Sequence, residues 1–130
     1  MSALRDDRGL ATLETTLMVV ILVPLIFGVI EFGTLFQRWL AADAIAVHAA
    51  RYAGELGGDQ PTLRAYIAEQ LRDVGIDPLR VTVEVDPPTV TWREPIRVSV
   101  RSLERIDLPF ALSTSVQISA TGVSRGEVQR

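Results

Sequence analysis

The apolar positions along this chain follow three periods in succession. The first is no period at all. Residues 15–36 (TTLMVVILVPLIFGVIEFGTLF) carry a single charge, Glu31. A core helix of a soluble protein keeps a polar face, and residues 17–30 have none. The uncharged run from Thr15 to Ile30 is short for a membrane span. Adding residues 10–13 and 32–36 gives ample length, with Glu14 and Glu31 as interruptions. Pro24 cannot donate to the carbonyl of Val20, which predicts a bend that packing inside a membrane tolerates. Residues 10–36 therefore read as a transmembrane helix.

The second period is helical. Leu35, Trp39, Ala42, Ile45, Ala49, Tyr52 and Leu56 recur at three- and four-residue steps, while Gln37, Arg38, Asp43, Arg51 and Glu55 lie off that stripe. Gly57-Gly58 is the stop. Residues 10–56 then form one helix of about 70 Å at ~1.5 Å per residue, apolar all round in its first half and amphipathic in its second. A second, shorter helix opens at Pro61, with Leu63, Ile67, Leu71 and Val74 as its stripe and Gly75 as its end. Asp77-Pro78 makes a turn.

The third period is two. Val81, Val83 and Val85 alternate with polar residues, as do Ile96, Val98 and Val100, and Val116, Ile118 and Ala120. Asp86-Pro87-Pro88 and Pro109 break the runs, and residues 89–92 are a candidate fourth strand. The fold class is α+β: a small antiparallel sheet of three to four strands packed on the amphipathic half of the long helix. Its predicted inner face is Val81, Val83, Ile96, Val98, Val116 and Ile118, covering Trp39, Ile45 and Tyr52. Trp92 is expected on or near the sheet, in a core role.

Composition narrows the function. One span plus about 90 further residues leaves room for one modest core. The net charge is −3, so the chain has no general attraction for nucleic acid. There is no cysteine, which removes disulfides, thiolate metal sites and cysteine nucleophiles. All the basic residues are arginine. Arg5 and Arg8 precede the span and bias its N-terminus to the cytoplasmic side, although Asp6 and Asp7 temper the bias. The remainder would be exported.

At the membrane entrance stands Arg8-Gly9-Leu10-Ala11-Thr12-Leu13-Glu14. A glycine, four mostly apolar residues, a glutamate and a long apolar helix resemble the class III processing site of type IV pilin-like proteins. Gly28-Val29-Ile30-Glu31-Phe32-Gly33 near the outer end of the span and a tail of strand pairs closing with residues 116–123 narrow the likeness. The chain resembles the TadE-like pseudopilins of tight adherence (Tad, or Flp-type) pilus systems. That resemblance implies a pilin-like fold with a leader at residues 1–9, a span at 10–36 and an exported domain at 37–130. It implies cutting between Gly9 and Leu10 by a prepilin peptidase, and a processing and assembly role for Glu14. It gives Pro24, Gly28, Glu31, Phe32 and Gly33 interfacial or helix-packing roles. The implied partners are the peptidase, other pilins or pseudopilins, and the inner-membrane assembly platform, in a hetero-oligomer. The implied location is the bacterial cytoplasmic membrane, with the C-terminal domain on its far side. Thr15 stands where major pilins of this system often carry an aromatic, and the exported domain is larger than theirs. Both departures favour an accessory subunit.

The spacing is physically consistent with these roles. From Leu10 to Glu31 is roughly 31 Å of helix, about one hydrocarbon thickness, so Glu31 falls at the outer interface. Glu14 lies about 6 Å inside Leu10, where a carboxylate costs less than the ~3 kcal/mol of a central one. Either the helix N-terminal dipole favours it there, or it meets the new amino group of Leu10 on a neighbouring subunit.

Catalytic chemistry is sparse. His48 is the only histidine, on the amphipathic helix, and reads as a flank residue. Gly54, Gly57 and Gly58 lack the lysine of a phosphate loop. No cofactor or metal-ligand pattern exists, and no catalytic residue is assigned. Arg93, Arg97, Arg101 and Arg105, spaced by four, share one strand face; a solvated face paired with Glu84 and Asp86 is the simpler account than a docking surface. The rival readings are an unprocessed signal-anchored binding module on the cell surface, a secreted protein cut near residues 42–49, and an exported enzyme.

Overall fold

The computed structural model describes the backbone of residues 3–107 and 113–129, and the side chains of residues 9–107 and 113–129. The side chains of Arg5, Asp6, Asp7 and Arg8, and Pro109, which was expected to break the strand runs, lie outside those described residues. The elements in order are helix α1 (Ala3–Leu56), helix α2 (Pro61–Asp73), a 3-10 turn (Pro78–Arg80) and strands β1 (Val81–Asp86), β2 (Pro95–Asp107) and β3 (Ser113–Arg125). The strands form one antiparallel sheet in the order β1-β2-β3. This is the expected α+β architecture: a long apolar helix, a second short helix and a three-stranded sheet.

α1 runs 54 residues without interruption through Pro24. The hydroxyls of Thr15, Thr16 and Thr34 donate to the carbonyls of Ala11, Thr12 and Ile30, four residues back, so these polar groups are satisfied within the helix itself. α1 ends as Gly57 takes φ 79° and the Gly58 amide bonds the Ala53 carbonyl at 2.9 Å. That 6→1 bond closes a helix with a left-handed glycine. α2 ends the same way, with Gly75 at φ 74° and the Ile76 amide on the Leu71 carbonyl at 2.9 Å. The stop falls one residue earlier than the apolar spacing predicts. Val74 is exposed, and Ile76 takes the buried place instead because the glycine reverses the chain onto the core.

The core lies between the second half of α1, α2 and the inner sheet face. Leu63, Ile67, Leu71, Ile96, Val98 and Val100 are its largest fully buried side chains. Tyr52 of α1 meets Tyr66 of α2 edge-on at 5.3 Å. The inner face of the sheet is corrected at both margins. Val81, Val83 and Val85 are half-buried because β1 is an edge, and Val116 is exposed because it lies beyond the core. Ser102 and Ala120 extend the buried row.

Trp39 and Trp92, expected in the core, are 41% and 48% exposed. The helix face toward the sheet is built from small residues, and a Trp39 indole has no cavity to enter there. Residues 89–92 form no strand. Thr89 makes one isolated bridge to Gly58, and the Glu94 amide bonds the Thr91 carbonyl in a turn that holds Arg93 at φ 66°. Arg93 is therefore in a turn, off the arginine row. Arg97, Arg101 and Arg105 do share the exposed face of β2, with Arg101 paired to Glu84 at 3.4 Å and Asp86 opposite Arg97 in the register.

Candidate functional site: the exposed apolar helix and its rigid junction with the sheet

Two features of α1 organise the molecule. From Gly9 onward it is long and apolar enough to cross a membrane, and none of its most apolar 18-residue window is buried within the molecule. Leu13, Leu17, Met18, Ile21, Leu25, Val29 and Phe32 are all more than half exposed. Water would penalise such a surface by about 25 cal/mol per Å², whereas lipid or other apolar helices accept it. One N-terminal apolar helix of this kind fits a single-pass membrane anchor.

The residues singled out in the sequence all lie on this bare rod. Gly9, Leu10 and Glu14 are exposed near its start. Pro24, Gly28 and Phe32 recur at four-residue steps and so share one face. Pro24 lines a shallow apolar groove with Val19, Val20 and Val23, and a methyl group added at Gly28 or Gly33 would touch nothing within 4 Å. Glu31 and Gly33 are half-exposed where the rod nears the domain. The fold brings none of these residues against the sheet; it presents them to whatever surrounds the rod. His48 is exposed on the flank of α1.

The second feature is how stiffly the domain is held to the rod. Ala42, Ala46, Ala49, Ala50 and Ala53 are fully buried, and Gly54 is buried with them. Positions 42, 46, 50 and 54 repeat every four residues, so one narrow strip of the helix carries no side chain beyond a methyl. β3 lies directly on this strip. A Cβ on Gly122 would collide with the Ala46 carbonyl, and one on Gly54 with the Arg125 carbonyl. Of the stripe read from the sequence, Ala42, Ile45 and Ala49 are buried, Leu35, Tyr52 and Leu56 are half-buried against the core, and only Trp39 is exposed. The legible signal for the true seam was the density of alanine between residues 41 and 54, a pattern that lets backbones approach closely.

One ionic contact pins the same junction. The Arg38 guanidinium pairs with the Glu104 carboxylate, which also accepts from the Ser102 hydroxyl at 2.7 Å. The Arg64–Asp59 pair is doubly bonded, at 2.6 and 2.9 Å, and the partnered carboxylate raises the Arg64 pKa above its ordinary value. The Glu94 carboxyl is held below its ordinary value because it accepts from the Thr91 amide. The Ser113 hydroxyl, and then Arg105, hold Asp107 below its own. None of these groups stands in a closed cavity, and each closes a turn, a strand end or an exposed pair.

Residues 9–51 match the family model of TadE-like proteins. The match runs from the glycine before the span to the middle of the alanine strip, and over that segment the chain is TadE-like. No curated protein and no solved structure matches the chain significantly.

Proposed function

Proceeding from a TadE-like segment on an exposed apolar rod, we propose that this chain is an accessory pseudopilin of a Tad-type pilus assembly system. Residues 1–9 are the leader, residues 10–36 span the cytoplasmic membrane with the N-terminus inside, and residues 37–130 stand on the far side. A prepilin peptidase cuts between Gly9 and Leu10. The mature helix then packs with other pilin helices at the assembly platform or in the filament. The chain is a substrate and a building block, and it performs no catalysis.

The observation that carries this reading is the unbroken passage of α1 from the TadE-like motif into the seam with β3. A helix seated in a bundle of neighbours thereby fixes the position of its domain, as a filament subunit requires. Gly28, on one face with Pro24 and Phe32, supports a packing face, since a small residue lets helices approach within a membrane. Glu14 is exposed on the rod. Cleavage would leave a fresh amino group on Leu10 at a helix end that has no preceding turn to hold it. A neighbouring subunit staggered along the same axis offers Glu14 a more rigid cation, and buried charge pairs of this kind can set register.

Co-expression with a matching prepilin peptidase and mass spectrometry of the mature N-terminus tests the reading. The expected chain begins at Leu10, and Gly9→Leu blocks the cut, because only the smallest side chain fits just before the scissile bond. Recovery of Met1 or Ser2 from assembled material would instead favour an unprocessed signal anchor. Glu14→Gln should still insert and fold, but should co-purify poorly with other pilins. Normal co-purification of the cleaved Glu14→Gln protein would leave Glu14 only its helix-dipole role.

A further inference from the structure

The two collisions that fix β3 on α1 also fix the direction of the sheet. Between Ala46 and Gly54 the helix advances about 12 Å, and between Gly122 and Arg125 the strand advances about 10 Å. β3 therefore runs along α1 in the same sense, and β2 runs back beside it toward the membrane-spanning part. Val98 pairs with Gly122, at the level of Ala46. Glu104, six residues further along β2, lies about 20 Å down the helix, near the level of residue 33. The Arg38–Glu104 pair agrees, because a helical side chain leans toward its N-terminus and an arginine reaches about one turn that way.

By the same arithmetic Leu103 and Arg105 stand at levels between about residues 35 and 31 of α1, beside Glu31, which the helix rise places at the outer interface. Pairing of Val81 with Ser102 brings the 3-10 turn to that same end of the sheet. Leu79 there is 94% exposed and Leu103 58%, and Arg80, Leu103, Arg105 and Ser115 line one shallow groove. Among the described residues the arginines have exposed partners, Asp77 at 3.8 Å from Arg80, and Asp107 at 3.0 Å and the Ser113 hydroxyl at 3.4 Å from Arg105. Surface pairs of that kind exchange readily for phosphate.

We propose that this end of the sheet, with Leu79, Arg80, Leu103 and Arg105, rests on the phospholipid head groups of the outer face of the bilayer that α1 crosses. Leucines entering the head-group layer beside arginines are a lipid-surface chemistry. Phe36 and Trp39, tilted against each other at 5.7 Å between ring centroids and both exposed on α1, form the aromatic belt at the same boundary. The domain is thus held to the membrane at two points before it is drawn into any assembly. This rests on the anchor reading above.

The chain has no cysteine, so single labels are unambiguous. Leu103→Cys, Val123→Cys and Val19→Cys, each carrying a fluorophore on the full chain in phosphatidylcholine–phosphatidylglycerol vesicles, would be challenged with nitroxide lipids. Val19 reports the span. Val123 is also on the exposed sheet face, but lies about 20 Å beyond Gln117, the strand partner of Leu103. The expected result is several-fold stronger quenching at position 103 than at 123 by head-group nitroxides, reduced by Arg80→Gln with Arg105→Gln. Equal weak quenching at 103 and 123, with position 19 quenched by acyl-chain nitroxides, overturns the lipid contact and leaves the anchor intact. Shielding of position 103 only at high protein-to-lipid ratio overturns it in favour of a second subunit. Loss of quenching at position 19 overturns both.

Discussion

Gly122 has no room for a methyl group, because the space its Cβ would occupy is taken by the backbone of Ala46 and Val47 in the facing helix. Backbone atoms cannot rotate away as a side-chain tip can, so Gly122→Ala should cost at the upper end of the ~1–3 kcal/mol typical of overpacking. Chemical denaturation of the detergent-solubilised full chain would read the loss; a midpoint equal to the parent's would mean the seam is looser than described. Glu94 makes a pH-dependent contribution at the same scale. Its carboxylate accepts from the Thr91 amide at 2.8 Å, which lowers its pKa in the folded state from the ordinary 4.5. A depressed carboxyl stabilises the fold above its unfolded pKa and loses that effect as pH falls through the folded value. Glu94→Gln should therefore be less stable than the parent at pH 7, with the difference vanishing as the pH drops well below 4.5. A gap that persists in acid would assign the loss to geometry and not to charge.

Among the elements, the β2–β3 hairpin holds thirteen consecutive paired positions, from Pro95↔Arg125 to Asp107↔Ser113. It is the longest pairing in the sheet, and only its far half is covered by helix. There Ile96, Val98 and Val100 are sealed under α1 and α2, while the near half carries Leu103 and Arg105 in the open. Val98→Asp would bury a charge with no partner and should abolish the cooperative unfolding transition of the domain while leaving the helical anchor in place. Near-ultraviolet circular dichroism, reporting on the packed Tyr52–Tyr66 pair, separates the two; an unchanged tyrosine signal in the variant would contradict the burial argument. Alternation of period two announced each of these strands. It could not announce their lengths, because beyond the core both faces are wet and the polar pattern of residues 103–107 and 113–117 resembles a loop.

At the scale of the whole molecule, a single 54-residue helix is shared between two environments. Its first half is bare and its second is the spine of a packed domain. With Arg5 and Arg8 ahead of the span, residues 37–130 should face away from the cytoplasm. A reporter fused after Arg130 should be active only if it works outside the cytoplasm; activity from a cytoplasm-dependent reporter alone would reverse the orientation. Because the seam is backbone against backbone, the domain should follow the helix as a rigid unit, with no hinge between anchor and sheet.

The sequence by itself determined the elements and their order. Composition marks the span, a helical period marks the amphipathic half, glycines mark both helix ends, and strict alternation marks three strands. Each of these is a local property, set by which side chains recur at which step. The motif around Gly9 and Glu14 was equally legible, since it is contiguous. Tertiary structure alone decided how closely α1 meets the sheet, and so which margin of its apolar stripe is buried. Large residues such as Trp39 dominate a periodicity reading, yet the close approach of β3 selects the alanine strip and turns the indole outward. It also decided that the distant Arg80, Leu103 and Arg105 share one end of the sheet. Register between a strand and a helix is a matter of matching two rises, 3.3 and 1.5 Å per residue, and no stretch of the chain contains both.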